Sequence, residues 1–184
     1  FGQRAVSLQE RQMEMLRDRI KGLEKKIVEM IRNSQDNGAI ADRLHRYVRT
    51  LMLATQPAAL PGLLVRELKA QFLVPQAAVR VWGVAEAYAG EAFALGVSTD
   101  AKSLATSLTS PYCGANSGFE PAQWLDDTPT VASMAMIALR AGDDAFGLLV
   151  LGSPDPTRYS ADMATDFLQR LGEVTSAGLS RLLP

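Results

Sequence analysis

Residues 131–152 carry the strongest pattern of apolar positions in the chain. The first half alternates between two sets of side chains, and the second half is apolar at almost every position. Between the halves, Ala141-Gly142-Asp143-Asp144 is rich in turn-forming residues, so the pattern predicts a β-hairpin. Because a strand that is apolar on both faces is covered on both, we expect this hairpin in the middle of a sheet. Simple alternation puts Phe146 on the same face as Leu148 and Val150.

Residues 6–33 show the periodicity of a long helix. Its apolar residues are spaced three and four apart, which is a heptad repeat. We call them the heptad stripe: Met13, Leu16, Ile20, Leu23, Ile27 and Met30. The stripe is narrow, which favours a dimeric coiled coil over a helix that lies on its own domain, although the second arrangement stays open. Isoleucine at position a with leucine at position d favours two strands.

Turn-forming residues at Asn33–Gly38 predict a break in this helix. The sequence therefore divides into an N-terminal coiled-coil helix at 1–37 and a domain at 38–184. Apolar periodicity predicts further elements in the second part. They are a helix around residues 40–51, a helix at 57–73, a strand at 77–84, a short edge strand at 92–95, a helix capped by Thr99 and Asp100, a strand at 111–114 and a final helix capped by Ser160.

Residues 115–130 form a long polar segment that contains Phe119 and Trp124. A loop of this length inside a compact domain is usually functional, and we expect both aromatic side chains to face inward over the sheet. With apolar residues of the predicted strands they form a candidate ligand pocket. Its residues are Trp82, Tyr112, Cys113, Phe119, Trp124, Met134 and Met136. The alternative is that these side chains fill an ordinary core.

The sequence contains few of the residues and motifs that catalysis or metal binding requires. Cys113 is the single cysteine and His45 the single histidine, so an internal disulfide is excluded and a zinc site is disfavoured. The sequence contains no Walker loop, HExxH, CxxC or nucleophile elbow. We predict no catalytic residue, no metal and no cofactor, and we expect Cys113 to be buried and unreactive. The protein is therefore predicted not to be an enzyme.

The single cysteine, Cys113, is compatible with a reducing cytoplasm, and charge and hydropathy give no sign of a membrane or nucleic-acid partner. The net charge of the 184 residues is −1, and the basic residues of the first 49 positions are interleaved with acidic ones. Interleaved charges are typical of a solvated helix rather than of a nucleic-acid interface. No apolar run reaches the roughly 20 residues that span a bilayer, and no signal peptide opens the chain. We expect neither a membrane nor a nucleic acid as a partner.

Several short segments of the sequence resemble those of known families. Phe146-Gly147-Leu148-Leu149-Val150-Leu151-Gly152-Ser153, followed by Arg158-Tyr159, is similar to the end of GAF domains. Ala5-Val6-Ser7-Leu8-Gln9-Glu10-Arg11-Gln12 and Pro111-Tyr112-Cys113-Gly114 resemble the bacterial family called domain of unknown function 484. This resemblance implies a GAF-like fold. Together with the heptad stripe, it leads us to predict an α+β fold, with an antiparallel sheet flanked by helices and a long N-terminal helix that forms the dimeric coiled coil.

The resemblance implies little about residue roles. GAF domains generally bind small molecules such as cyclic nucleotides, or serve as dimerising modules in signalling. We match no cyclic-nucleotide motif in this chain. GAF-type methionine sulfoxide reductases use several cysteines, whereas this chain has one, and bilin-binding GAF domains typically have histidine after the attachment cysteine, whereas Cys113 precedes Gly114.

Two hypotheses of different classes remain. The first is a homodimeric module that senses an unidentified small ligand and signals through a partner protein. The second is a structural dimerisation or scaffold module whose pocket is filled by its own side chains. The space under the 115–130 segment distinguishes them, because a sensor needs an open site and a scaffold does not.

Overall fold

The computed structural model describes residues 7–184. The chain forms two compact units that divide between Asp42 and Arg43. Helix α1 begins at Leu8 and ends at Leu53, so the division falls inside this helix. The expected boundary was residue 37. None of the helices in the described part of the chain combines the length and the apolar content needed to span a bilayer.

Helix α1 begins with a reciprocal cap. The Ser7 hydroxyl accepts a hydrogen bond from the Glu10 backbone N–H at 3.1 Å, and the Glu10 carboxylate accepts one from the Ser7 backbone N–H at 2.9 Å. This is the capping box expected for serine followed three residues later by glutamate. It satisfies backbone donors that the first turn of a helix leaves free.

The predicted helix break at Asn33–Gly38 is wrong, because α1 is continuous through these residues. Their side chains are exposed, so a helical backbone at these positions buries no polar side chain. Each poor helix former costs less than about 1 kcal/mol relative to alanine, and the long helical pattern on both sides outweighs that local preference.

The second unit is built on a four-stranded antiparallel sheet. Its strands are β1 (Gln76–Val81), β2 (Tyr112–Ala115), β3 (Ser133–Ala141) and β4 (Asp144–Ser153), in the spatial order β1-β4-β3-β2. The predicted hairpin is confirmed as β3 and β4, which occupy the two central positions. Its turn places Gly142 at φ 66°, a left-handed conformation that glycine adopts without strain.

A β-bulge in β4 changes the direction of one predicted side chain. Leu139 pairs with Gly147 and Arg140 pairs with Ala145, so Phe146 has no partner on β3. Phe146 packs with Leu149 rather than with Leu148, and the expectation from alternation is wrong at this residue. The extra residue of a bulge shifts the alternation of the strand by one position.

Helices cover the first face of the sheet. They are the end of α1, helix α2 (Leu60–Phe72) and a C-terminal helix that we number α4 (Asp166–Leu179). The first core lies between them and the sheet and includes Tyr47, Leu51, Leu64, Leu68, Leu149, Leu151, Leu171 and Leu179. The Tyr47 hydroxyl is hydrogen-bonded to the Thr175 hydroxyl at 2.8 Å inside it. Burial raises the pKa of Tyr47, so this pair stays neutral and satisfied.

The second face is covered by helix α3 (Thr99–Ser107) and the 115–130 segment. The N-cap of α3 is Ser98, whose hydroxyl accepts a hydrogen bond from the Ala101 N–H at 3.0 Å, so the cap predicted at Thr99 and Asp100 lies one residue earlier. Residues Ala92–Ala94 form a 3-10 helix and not an edge strand. Helix α4 begins at Asp166, later than the predicted Ser160 cap.

Candidate functional site

The floor of the candidate site is the second face of the central strands. Met134 and Met136 of β3 lie beside Leu148 and Val150 of β4, and all four side chains are fully buried. Alternation along paired strands places them on one face, opposite the first core. With Ala78, Ala105, Ala122, Leu125 and Val131 they make up the second core.

The covering segment, residues 115–130, closes over this floor. It contains two 3-10 helices, Glu120–Trp124 and Thr128–Thr130. Its most deeply buried side chains are small or aliphatic, namely Ala122 and Leu125. The two aromatic residues pack against the second core but remain half-buried, and the Phe119 ring meets the Tyr112 ring edge-on at 5.2 Å between centroids.

Gln76, the first residue of β1, fixes the covering segment to the sheet. Its side-chain oxygen accepts a hydrogen bond from the Asp127 N–H at 2.8 Å. Its side-chain nitrogen donates to the Asp127 carbonyl at 3.0 Å and to the Thr130 hydroxyl at 3.1 Å. The amide therefore pairs with both backbone groups of one residue, as a neighbouring strand would. Because Gln76 is itself buried, these bonds also satisfy polar atoms that would otherwise be costly to bury.

Two further polar contacts hold the middle of the segment. The Ser98 hydroxyl that caps α3 also donates to the Glu120 carboxylate. Six residues later, the Asp126 carboxylate lies 3.3 Å from the Lys69 ammonium across the surface. The second contact is exposed, and such ion pairs are worth about 0–1 kcal/mol. Gln76 and the buried apolar residues therefore provide most of the anchoring.

Six of the seven predicted pocket residues belong to this face, and one does not. Trp82, Tyr112, Phe119 and Trp124 pack around the second core, which contains Met134 and Met136. Cys113 belongs to the first core on the other side of the sheet. Its strand partner is Ala135, whose side chain also faces the first core. Successive side chains of a strand point to opposite faces of the sheet, so Cys113 and its neighbour Tyr112 cannot line the same pocket.

The side chains under the covering segment fill the space above the floor. Both methionines have no exposed surface, and the Trp82 indole N–H is used in a hydrogen bond of 3.0 Å to the Ala145 carbonyl. Open space lies instead to one side, where Trp124 faces the outer edge of β1. The site predicted directly above Met134 and Met136 is thus occupied by the protein itself.

This open space, the Trp124 groove, has a volume of about 400 Å³. Ala77–Arg80 of β1 form its floor, and Val65 of α2, Phe93 and Trp124 form its walls. The Arg80 guanidinium carbon lies 5.7 Å from the centroid of the Trp124 ring, a cation–π distance. Burial lowers the pKa of Arg80, yet arginine remains charged at neutral pH. The groove thus combines apolar walls with one cation and the Asp126 carboxylate.

Sequence patterns alone do not identify Gln76 or Arg80 as important. The available signal is a polar residue just before an apolar strand and a second one within it, which is also the pattern of an ordinary, partly exposed strand. The partners of Gln76 lie 51 and 54 positions away in the chain, so only the folded structure reveals them.

The described residues offer few groups for covalent or metal chemistry. Within residues 7–184, no cluster of three or more His, Cys, Asp or Glu side chains is placed to hold a metal ion. Burial raises the pKa of the Cys113 thiol, which disfavours the thiolate that nucleophilic chemistry needs. The described geometry offers an open groove at the edge of β1, with mainly apolar lining.

The heptad stripe lies on a separate part of the molecule, within the first compact unit. Its six side chains are each between 52% and 69% exposed. Leu8, Met15, Val28 and Ile31 of the same helix are also exposed. Solvated helices seldom expose a contiguous row of large apolar side chains.

Comparisons with known proteins agree with this geometry. A model of a protein family of unknown function, DUF484, matches residues 2–183. No sequence among curated proteins matches the chain. Among solved structures, the GAF domain of a phosphoenolpyruvate-protein phosphotransferase from Coxiella burnetii is similar, with a TM-score of 0.57 and 13% identity over 78% of this chain and 94% of that one.

Two further GAF domains show the same fold. One belongs to an Acinetobacter phosphoenolpyruvate-protein phosphotransferase, with a TM-score of 0.54 and 14% identity over 77% of this chain and 92% of that one. The other belongs to a putative sensor histidine kinase of Pseudomonas syringae pv. tomato, with a TM-score of 0.52 and 19% identity over 82% and 91%. The predicted α+β, GAF-like fold is therefore confirmed.

Proposed function

The chain belongs to the DUF484 family of proteins of unknown function, and we propose that it is a regulatory module that senses a small ligand as a homodimer. The single observation that carries the sensing role is the Trp124 groove. Its volume of about 400 Å³ lies within the roughly 300–1,000 Å³ of small-molecule sites, and its apolar walls with few polar groups are typical of them. The GAF-like fold is compatible with such a role.

The groove suggests a flat ligand with a polar edge. An aromatic ring can contact Trp124 beside the Arg80 guanidinium, which lies over the indole. Acceptor atoms on the ligand can meet the Arg80 guanidinium, which donates one hydrogen bond, to the Val79 carbonyl at 3.1 Å, and retains other donors. A ligand here also touches Asp126, next to the residue that Gln76 holds. Binding can therefore alter the covering segment.

The homodimer is proposed on the heptad stripe. Six large apolar side chains that are more than half exposed would be removed from water along a helical seam. Full burial of such a side chain is worth about 1.5–3 kcal/mol, so even partial burial of six from each protomer offsets a substantial part of the cost of association. The remaining exposed side chains of α1, such as Met15 and Val28, then offer a contact for a partner protein.

A second candidate function is a dimerising scaffold with a self-filled pocket. The observation that favours it is the complete burial of Met134 and Met136 beneath the covering segment. In this account the Trp124 groove is a surface depression, and the covering segment serves only to complete the second core.

A ligand screen with matched variants distinguishes the two functions. A library of metabolites and nucleotides is tested by thermal shift on the wild type, Trp124→Ala and Phe119→Ala. Phe119 is the control, because it packs on Tyr112 and does not line the groove. A sensor predicts a compound that stabilises the wild type by about 2.7 kcal/mol at a hundredfold excess over its Kd.

The variants locate the site. Trp124→Ala is expected to abolish the shift, and Phe119→Ala is expected to retain it. A library without any stabilising compound, or a stabilising compound that binds Trp124→Ala equally well, would contradict ligand sensing at this groove and favour the scaffold.

A further inference from the structure

A second cavity lies on the helical face of the sheet, between α2, α4 and the chain that follows β4. We call it the Arg158 cavity. It has a volume of about 210 Å³, with Phe72, Phe167 and Leu171 among its apolar walls. Arg43, Arg158 and Tyr159 also line it. It shares no lining residue with the Trp124 groove, so the two sites are separate.

The charges of this cavity are unbalanced. Its lining contains two arginines and neither Asp nor Glu. Among the residues that the structure describes, the ion pair is Lys69 with Asp126, so neither arginine has a carboxylate partner within 4 Å. The nearby Asp155 carboxylate accepts hydrogen bonds from the Thr157 N–H and hydroxyl, at 2.8 and 2.7 Å, and these bonds lower its pKa more than Arg158 does.

Arg158 is held in place with donors to spare. One terminal nitrogen donates to the Phe72 carbonyl at 3.0 Å, and the guanidinium carbon lies 5.7 Å from the centroid of the Tyr159 ring. This uses one of the five N–H donors of a guanidinium. Because its position is fixed by the end of α2 and by the tyrosine ring, little conformational entropy remains to be lost when it binds an anion.

The size and lining of the cavity define a ligand class. A volume of 210 Å³ is roughly seven water molecules, and an apolar cavity of about 150 Å³ is enough for benzene. The cavity therefore has room for one ring or a short alkyl chain with a charged end. Phe72 and Phe167, with ring centroids 5.2 Å apart, provide aromatic contacts for such a body.

We propose that the Arg158 cavity binds a small monocarboxylate with an aromatic or short aliphatic body. The carboxylate accepts hydrogen bonds from the Arg158 guanidinium and lies in the field of Arg43, and the apolar body packs against Phe72, Phe167 and Leu171. A planar guanidinium matches the two oxygens of a carboxylate. This site goes beyond the proposed function, since none of its lining residues lines the Trp124 groove.

The test is calorimetric titration of the full chain with chosen probes. Benzoate, phenylacetate and hexanoate are compared with benzyl alcohol and with inorganic phosphate. The site predicts saturable binding of at least one of the acids, and binding of the alcohol and of phosphate about tenfold weaker or more, because a charge-assisted hydrogen bond and an apolar body are both required.

Charge variants locate the binding. Arg158→Gln and Arg43→Gln are each expected to weaken acid binding, by about tenfold or more for Arg158. Arg170→Gln is the matched control, because Arg170 is an exposed arginine of α4 that does not line the cavity. Arg158→Gln loses the hydrogen bond to the Phe72 carbonyl of α2 and could fail to fold for that reason. In that case Arg43→Gln decides the test, because Arg43 is exposed and its replacement does not disturb the core.

Three results would overturn the proposal. The first is the absence of saturable binding of any of the three acids at millimolar concentration. The second is equal binding of benzoate and benzyl alcohol, which would indicate an apolar cavity without a role for the arginines. The third is loss of binding in Arg170→Gln to the same extent as in Arg43→Gln. None of these measurements depends on the dimer or on the Trp124 groove, so this proposal and the proposed function fail separately.

Discussion

The side-chain amide of Gln76 pairs with both backbone groups of Asp127, at 2.8 Å to the N–H and 3.0 Å to the carbonyl. These two residues are 51 positions apart in the chain. Their pairing joins the start of β1 to the covering segment, and so joins the sheet to the segment that borders the Trp124 groove.

Gln76→Glu is expected to destabilise the second unit by at least about 2 kcal/mol. Glutamate keeps the shape of the side chain, but it removes the donor to Asp127 and Thr130 and introduces a charge at a buried position. Urea unfolding measures the loss. The control is Gln56→Glu at an exposed position, for which a change within about 0.5 kcal/mol is expected. Equal effects of the two substitutions would show that the Gln76 pairing does not anchor the segment.

Cys113 is expected to react slowly with a disulfide reagent in the folded protein and rapidly after denaturation. Burial raises the pKa of its thiol, so the thiol stays protonated to a higher pH in the folded protein than in the unfolded chain. The free energy of unfolding should therefore be unaffected by this group below the unfolded thiol pKa, about 8.5, and should fall as pH rises above it. Comparison of unfolding at pH 7 and pH 9.5 in wild type and Cys113→Ala isolates this contribution. Fast labelling at pH 7, or identical pH dependence in the two proteins, would contradict a buried thiol.

Gly172→Ala is expected to destabilise the packing of α4 on β3. A Cβ at position 172 would lie 2.5 Å from Cγ2 of Ile137, so the helix would have to move away from the strand. Such overpacking costs about 1–3 kcal/mol. Gly62→Ala in α2 is the control, because nothing lies within 4 Å of its added Cβ, and there a small gain of about 0.5–1 kcal/mol is expected. Thermal unfolding of both variants tests the contrast, and a stable Gly172→Ala would show that this contact is looser than described.

Local patterns in the sequence predicted the elements whose signals are themselves local. The β3–β4 hairpin follows from apolar alternation around a turn at Gly142, and α2 follows from leucines at four-residue spacing. The continuity of α1 was missed, because the turn-forming residues at 33–38 were given more weight than the helical pattern around them. Propensity is a weak prior when a long helix is supported on both sides.

The parts of the candidate site that the sequence missed depend on pairing between distant residues. The face occupied by Cys113 follows from its register against Ala135, and the direction of Phe146 follows from a bulge that exists only once β4 pairs with β3. The Gln76 contact joins two segments that have no shared periodicity. Alternation identified the floor at Met134 and Met136, but it could not show that neighbouring side chains fill the space above it.

The most direct test of the proposed homodimer is the mass of the protein in solution. Ile20 lies in the middle of the heptad stripe, and Met15 is an exposed apolar residue of the same helix outside the stripe. Sedimentation equilibrium is measured on the wild type, Ile20→Asp and Met15→Asp, with a protomer mass of 19.9 kDa. We expect dimers for the wild type and for Met15→Asp, and monomers with a native fold for Ile20→Asp, because a carboxylate in the seam would have to be desolvated. A monomeric wild type, or an Ile20→Asp variant that remains fully dimeric, would contradict a dimer built on this stripe.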